Sequence, residues 1–272
     1  MPAIRGEFEG RVAVVTGAAR GIGLATASRM ADGGAVVFAV DVDEQTLRRA
    51  VAEAARDRVI AAPCDVSDEE QVSTLVARVE RERGRCDILV NNAGIIEWGG
   101  LEDLDLASWD RTLRHNLTSS FLCARGFGRL MLDAGSGSIV NVASVAAKVP
   151  EALAGSYSAS KAGMEILARQ IAVEWGPRGI RANTVSPGIT KSPMAQGFLD
   201  DRTSAARRKR MIASRRFAAP EEMAEVIAFL AGDRSSFVNG QNLEVDGGMT
   251  QMLLRLLPHP GVPGFDEEDA GA

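Results

Sequence analysis

The chain holds a single tyrosine, Tyr157, among 272 residues. Histidine is almost as scarce. His115 and His259 are too few and too far apart for a zinc signature, so no metal site is expected. The three cysteines, Cys64, Cys86 and Cys123, form an odd set with no pairing pattern. They argue against a disulfide framework and for reduced thiols in a cytoplasmic setting. No stretch approaches the roughly 18 consecutive apolar residues of a membrane span. The N-terminal MPAIRGEFEGR lacks the apolar region of a secretion signal. Basic residues do not predominate either: 31 Lys and Arg against 36 Asp and Glu leave a net charge of −5. Nucleic acid, whose phosphates need a basic surface, is therefore not an expected partner.

What is present is the mixture of a globular protein, 46% hydrophobic and 25% charged, long enough to bury a large core. Short apolar runs alternate with helical patterns. The strands are RVAVVTG, AVVFAVD, RVIAAPCD, CDILVNNAG, GSIVNVAS, GIRANTVSPG and GQNLEVDGG. Between them lie helical segments, including one that opens at Ser67, a candidate N-cap, and a long helical region over 108–133. Strands that are apolar along their whole length, each followed by a helix, imply a parallel sheet covered on both faces. The expectation is one α/β domain, a doubly wound parallel seven-stranded sheet (a Rossmann fold), over residues 1–248. An Arg-rich, mobile segment over 194–216 interrupts the alternation. Residues 249–272 form a C-terminal extension. Its apolar MTQMLLRLL should pack on the body or on a neighbouring subunit, and its acidic end should be disordered.

TGAARGIG, from Thr16 to Gly23, follows the first strand and opens the first helix. Gly17, Gly21 and Gly23 permit a tight turn and close approach to a pyrophosphate, while the helix start attracts the anion. Such a triplet alone marks only a strand–helix turn; its placement makes it a dinucleotide signature. Asp41 ends the second strand, where a carboxylate accepts hydrogen bonds from the adenosine ribose and repels a 2′-phosphate. The cofactor expected is NAD rather than NADP, with Arg20 the one residue in the loop able to meet a phosphate.

Tyr157 and Lys161 are four residues apart and share a face of one helix. A phenol with a pKa of about 10 is a poor base at neutral pH, and a nearby ammonium stabilises its phenolate. Ser144 ends the fifth strand at the carboxyl edge of the sheet, where ligands bind in such folds. A hydroxyl there can hydrogen-bond a substrate oxygen beside the phenol. Taken alone, a Tyr-x-x-x-Lys pair is common on solvent-facing helices.

Several motifs in one register narrow the choice. TGAARGIG, CDVSD, NNAG (Asn91 to Gly94), Asn116, Ser144 thirteen residues before Tyr157, YSASK, NTVSPG and GQNLEVDGG follow in order over about residues 8–248. The chain resembles the classical short-chain dehydrogenases/reductases. The resemblance implies that Tyr157 is the general acid/base and that Lys161 binds the nicotinamide ribose and lowers the tyrosine pKa. It implies that Ser144 orients the substrate oxygen and Asn116 holds a water of a proton relay. It places Gly17, Arg20, Gly21, Ile22 and Gly23 at the phosphates, and Asp65 and Val66 at the adenine. Asn92, Ala93 and Gly94 fall at the adenosine-side ribose, and Pro187, Gly188, Thr190 and Ser192 at the nicotinamide. Ser192 stands where the family usually has threonine, and Thr190 where it usually has a branched aliphatic residue. A homotetramer is also implied.

The expected reaction is NAD-dependent interconversion of a secondary alcohol and a ketone. The pocket candidates Trp98, Val149, Glu151, Leu153, Met194 and Phe198 are mainly apolar and suit a small or medium, hydrophobic or alicyclic substrate. Arg207, Arg208, Lys209 and Arg210 form either a solvated helix face or a surface for an acidic substrate such as an acyl carrier. The latter would suit an NADPH-dependent 3-oxoacyl thioester reductase. A catalytically idle dinucleotide sensor is a third reading, which the intact set Asn116, Ser144, Tyr157 and Lys161 disfavours.

Overall fold

The computed structural model describes residues 6–54, 57–253 and 255. Seven strands form one sheet: β1 (Val12–Thr16), β2 (Val36–Asp41), β3 (Val59–Pro63), β4 (Ile88–Asn91), β5 (Gly137–Val142), β6 (Ile180–Pro187) and β7 (Asn242–Val245). Their spatial order is β3-β2-β1-β4-β5-β6-β7, and every neighbouring pair is parallel. The chain winds outward from β1 to β3, then returns to the centre and winds the other way from β4. This reversal opens a crevice at the carboxyl ends of β1 and β4, the topological switch point at which such sheets bind ligands.

Strand periodicity builds two cores. Ala13 and Val15 of β1, with Val37 and Ala39 of β2, face α1 (Gly21–Asp32), α2 (Glu44–Ala54) and α9 (Pro220–Ala231). Val12 and Val14, with Phe38 and Val40, face α3 (Glu69–Arg83), α5 (Ser119–Ala134) and α6 (Tyr157–Trp175). Phe38, Ile88, Leu89, Phe127 and Ile139 are fully buried, each worth about 1.5–3 kcal/mol of transfer free energy. The seven-stranded doubly wound fold is the one the apolar strands imply.

Local features depart from expectation in three places. Asp68, not Ser67, caps α3: its carboxylate accepts from the amides of Glu70 and Gln71, while the Ser67 hydroxyl turns back to Asp65 Oδ1 at 2.8 Å. A carboxylate is the stronger acceptor at the positive end of a helix. The helix over 108–133 is interrupted: α4 (Leu106–Leu113) passes into a π-helical turn (Arg114–Thr118) before α5. The hydroxyls of Ser119 and Ser120 donate to the carbonyls of His115 and Asn116 at 2.6 and 2.7 Å, supplying polar contacts at the disrupted turn. The 194–216 segment holds two short helices, α7 (Gln196–Asp200) and α8 (Arg202–Arg210), the second capped by Asp201.

All three cysteines are free and buried. Among the described residues no helix is long and apolar enough to cross a membrane, and no group of His, Cys, Asp and Glu could hold a metal ion. Within MTQMLLRLL, Met252 is buried and Met249 packs against Ile212 and Phe217. The acidic end over 256–272 lies outside the described residues.

Candidate active site

The switch-point crevice opens into a cavity of about 560 Å³. Its floor at one end is the glycine loop. Gly17 and Gly21 have φ of +64° and +56°, which side chains rarely adopt. Gly23 serves packing: a Cβ there would lie 2.2 Å from the Gly17 carbonyl oxygen. Asn92 ties the loop to β4, its Nδ2 donating to the carbonyls of Thr16 at 2.9 Å and Gly17 at 3.1 Å. Helix α1 starts without a side-chain cap and without an acidic residue in its first turn. Its leading amides and positive dipole end therefore stand ready for an anion beside the cavity. A dinucleotide fits this cradle: bare backbone lies where a diphosphate must approach, and a carboxylate stands beyond it.

That carboxylate is Asp41, which lines the cavity. Its Oδ2 accepts from the Ala19 amide at 3.1 Å and its Oδ1 from the Asp43 amide at 3.0 Å. Arg20 also lines the cavity, but its guanidinium donates to Asp43 Oδ2 at 2.6 Å. Hydrogen bonds from Thr46 hold the Asp43 carboxyl below its ordinary range, with Arg20 adding to the effect. The cation of the glycine loop, Arg20, is thus already paired.

At the opposite end, β5 and α6 bring three groups together. Asn91 of β4 donates to Asn141 of β5 at 2.9 Å, and Asn141 donates to the Met164 carbonyl of α6 at 3.0 Å. This buried chain fixes the helix against the strand edge. Ser144 follows β5; its Oγ accepts from the Ala146 amide at 3.1 Å, and its side chain hydrogen-bonds Tyr157. Burial pushes the Tyr157 phenol up; the Ser144 hydrogen bond opposes this, and the Glu151 carboxylate adds to it. Lys161 is buried, donates to the Val142 carbonyl at 2.9 Å and lies 5.6 Å from the Tyr157 ring centre. Burial lowers its ammonium to about 8. Desolvation thus disfavours charge on both groups.

Asn116 is wholly buried on the π-helical turn, behind the cavity wall. Its Oδ1 accepts from the Ile95 amide at 2.8 Å, and its Nδ2 donates to the Ile95 carbonyl at 3.0 Å and to Ser160 Oγ at 2.8 Å. The side chain clamps the segment following β4 to α6. Gly94 passes so close that a Cβ would lie 3.0 Å from Asn116 Oδ1 and 3.3 Å from Lys161 Nζ.

Beyond Tyr157 the walls are mainly apolar: Ile96, Trp98, Ile189, Met194 and Phe198, with Met249 from the C-terminal extension. Trp98 meets Phe198 edge to face, 5.7 Å between centroids. Two charges enter here, Glu151 and Arg208.

The structure brings Gly17, Arg20, Gly21, Ile22, Asp41, Asp65, Val66, Asn92, Ala93, Gly94, Ser144, Tyr157, Lys161, Pro187, Gly188, Thr190 and Ser192 to one cavity, with Trp98, Glu151, Met194 and Phe198. It does not bring Gly23 or Asn116 into the lining, nor Val149 and Leu153, whose side chains are more than half exposed, at 54% and 65%. The Leu153 carbonyl accepts from the Gly99 amide at 2.7 Å, pinning the segment with that side chain outward. Ile189 and Met249 line the cavity from segments already expected to flank the nicotinamide and to pack on the body. Sequence reasoning missed His115 on the wall, for which the sequence carries no local signal. Arg208 did carry one: it lies three residues after buried Ala205 and four before buried Ile212, on their face.

The family model described as enoyl-(acyl carrier protein) reductase matches residues 17–250. A cis-4-hydroxycyclohexanecarboxylate dehydrogenase of Sinomonas cyclohexanicum is 46% identical over 246 residues, 89% of this chain and 98% of that one. A D-threitol dehydrogenase of Mycolicibacterium smegmatis is 41% identical over 89% of this chain and 94% of its own. Among solved structures, a putative gluconate dehydrogenase from Agrobacterium tumefaciens superposes with a TM-score of 0.88 at 34% identity, covering 92% of this chain and 100% of that one.

Proposed function

The chain belongs to the classical short-chain dehydrogenase/reductase family, and we propose that it is an NAD-dependent dehydrogenase interconverting a secondary alcohol and a ketone. As a family member it is an oxidoreductase that uses a nicotinamide dinucleotide. The observation that carries the finer reading is the convergence of Ser144, Tyr157 and Lys161 at the sheet edge beside a largely apolar pocket. The Sinomonas relative, which by its name oxidises an alicyclic secondary alcohol, supports a small or medium alicyclic substrate.

The residues would divide the work as follows. Amides of the glycine loop and of Gly21 and Ile22 would hold the diphosphate. Asp41 would take the adenosine ribose, Asp65 and Val66 the adenine, and Asn92 to Gly94 the adjoining sugar. Lys161 would hold the nicotinamide ribose, and Pro187, Gly188, Thr190 and Ser192 would flank the ring. When bound, the nicotinamide accepts the hydride of the carbinol carbon or returns it to the ketone. Tyr157 Oη takes the proton from the substrate hydroxyl in oxidation and gives it back in reduction. The Ser144 hydroxyl, held by the Ala146 amide, orients the substrate oxygen beside the phenol. Protonated Lys161 favours the phenolate and works against the burial that disfavours it. Asn116, wholly buried, would act behind the cavity wall by holding Ile95 and Ser160 in place.

NAD is favoured because Asp41 opposes a 2′-phosphate and Arg20 is committed to Asp43. A 3-oxoacyl thioester reductase using NADPH is the second reading, favoured by the description of the matching family model. Exposed apolar side chains on α5 and α6, Phe121, Ile166 and Val173, suit a subunit contact and support a homotetramer. The test of the reading is NAD⁺ and NADP⁺ reduction against a panel of cyclic and acyclic secondary alcohols. Turnover of cyclic alcohols with NAD⁺ is expected. Turnover with NADP⁺ alone, or of 3-hydroxyacyl thioesters alone, would replace it with the second reading.

A further inference from the structure

Arg208 is the one member of the basic run that the fold turns into the cavity. Helix α8 buries Ala205 against Ile212 and Phe217, and Arg208 follows Ala205 by three residues. Arg207 and Lys209 are exposed. The Arg208 side chain is only 25% exposed. Its guanidinium carbon sits 3.9 Å from the centre of the Phe198 ring, which Trp98 braces from the side. Stacking occupies the flat face of the guanidinium and leaves its N–H edge free. Among the described residues no hydrogen bond reaches that edge. The nearest acceptor is Glu151 Oε1 at 4.0 Å, an ion-pair distance beyond hydrogen-bond range. The Glu151 carboxylate is itself 40% exposed, and among the described residues it accepts no hydrogen bond.

A rigid, partly desolvated fork of donors in an apolar substrate pocket, paired at a distance with a loosely held carboxylate, is built for a planar anion. We propose that Arg208 binds a carboxylate carried by the substrate, on the far side of its apolar body from the reacting hydroxyl, and that Glu151 is the partner this carboxylate displaces. The substrate class is then a hydroxycycloalkane carboxylate or a similar compact hydroxy acid. Trp98, Met194 and Phe198 cover the ring between the two polar ends. The proposal rests on placing the reacting hydroxyl at Tyr157, as above.

The test uses ligands that cannot react. Cyclohexanecarboxylate and its neutral counterpart cyclohexanecarboxamide are titrated into the protein saturated with NAD⁺, with tryptophan emission as the readout, since Trp98 lines the site. The acid should bind at least tenfold more tightly than the amide. Arg208→Gln should weaken the acid at least tenfold and leave the amide within about twofold, with Arg208→Lys in between. Glu151→Gln should tighten the acid several-fold by removing its competitor. Equal binding of acid and amide by the unaltered protein, a comparison that needs no variant, would overturn the proposal. So would an acid preference that survives Arg208→Gln. Parallel assays of NAD⁺ reduction separate the two claims. Acid preference without turnover of any alcohol would sink the dehydrogenase reading and leave the Arg208 assignment standing. Turnover of neutral cyclic alcohols without acid preference would do the reverse.

Discussion

The side chain of Ser144 is hydrogen-bonded to Tyr157 while its Oγ accepts from the Ala146 amide at 3.1 Å. The serine therefore acts on the phenol, beside the proposed role of orienting the substrate oxygen. The hydrogen bond lowers a phenol that burial pushes up, so its loss must raise the phenol further. Ser144→Ala should reduce kcat for alcohol oxidation by on the order of 100-fold and move the alkaline rise of the rate to higher pH. A pH–rate profile of the variant beside the unaltered protein checks both. A lower rate with an unmoved profile would confine Ser144 to substrate orientation.

The proposed preference for NAD rests on the Arg20–Asp43 pair as much as on Asp41. In Asp43→Ala the Arg20 guanidinium loses its partner and is freed toward the ribose end of the cavity. In Asp41→Ala the repelling carboxylate is gone. The double variant should gain about ten- to hundredfold in kcat/KM with NADP⁺ and lose a similar factor with NAD⁺, in line with one or two charge-assisted hydrogen bonds. Steady-state kinetics with the two cofactors measure this directly.

Gly23 is predicted to be intolerant of any side chain. Its Cβ would meet the Gly17 carbonyl oxygen at 2.2 Å and Asn92 Nδ2 at 2.6 Å, so the loop itself must move. Gly23→Ala should cost on the order of 3 kcal/mol and abolish NAD⁺ binding. Thermal unfolding and calorimetric titration report the two effects. Gly84→Ala is the counterpart in space alone: nothing lies within 4 Å of its Cβ, so its cost should come only from its positive φ of 70°.

Lys161 imposes a pH-dependent cost on the fold. Burial lowers its ammonium to about 8 from an unfolded value of 10.5, so between these values the unfolded chain binds the extra proton. Its contribution to stability thus improves as pH rises through that window and is worst below pH 8. Lys161→Met should be more stable than the unaltered protein at pH 7, by about 2 kcal/mol once the lost hydrogen bond to Val142 is offset. The difference should shrink between pH 8 and 10.5. Denaturant unfolding of cofactor-free protein across this range checks the sign. A gap that widens with pH would show that the buried ammonium stabilises the fold.

The sheet was legible because its signal is local. Val12 to Val15 is apolar on both faces, and a strand buried on both faces demands helices on each side. The cavity residues were legible where a motif also fixes the backbone, as at Gly17, Asp41, Ser144 and Tyr157. What escaped depends on partners distant in sequence. The π-helical turn at Asn116 accompanies hydrogen bonds to Ile95 and to Ser160, 44 residues on. Val149 and Leu153 share the loop of Glu151, yet only Glu151 reaches the cavity, since a bond between Leu153 and Gly99 sets which way the loop faces. Nor does the sequence show that Asp43 captures Arg20. The expectation that Lys161 lowers the tyrosine pKa meets another effect here, for burial is the largest influence on both groups in the cofactor-free chain, raising the phenol and lowering the ammonium.

The central claim is that Tyr157 moves the proton of the substrate hydroxyl. Its most direct test is NAD⁺ reduction with a cyclic secondary alcohol by Tyr157→Phe, together with the NAD⁺ dissociation constant of that variant. The account predicts that turnover falls by at least about 1,000-fold while NAD⁺ affinity changes by less than about threefold, since only the phenolic oxygen is removed. Turnover within about tenfold of the unaltered protein, with NAD⁺ bound equally well, would contradict it and place the proton transfer on another group.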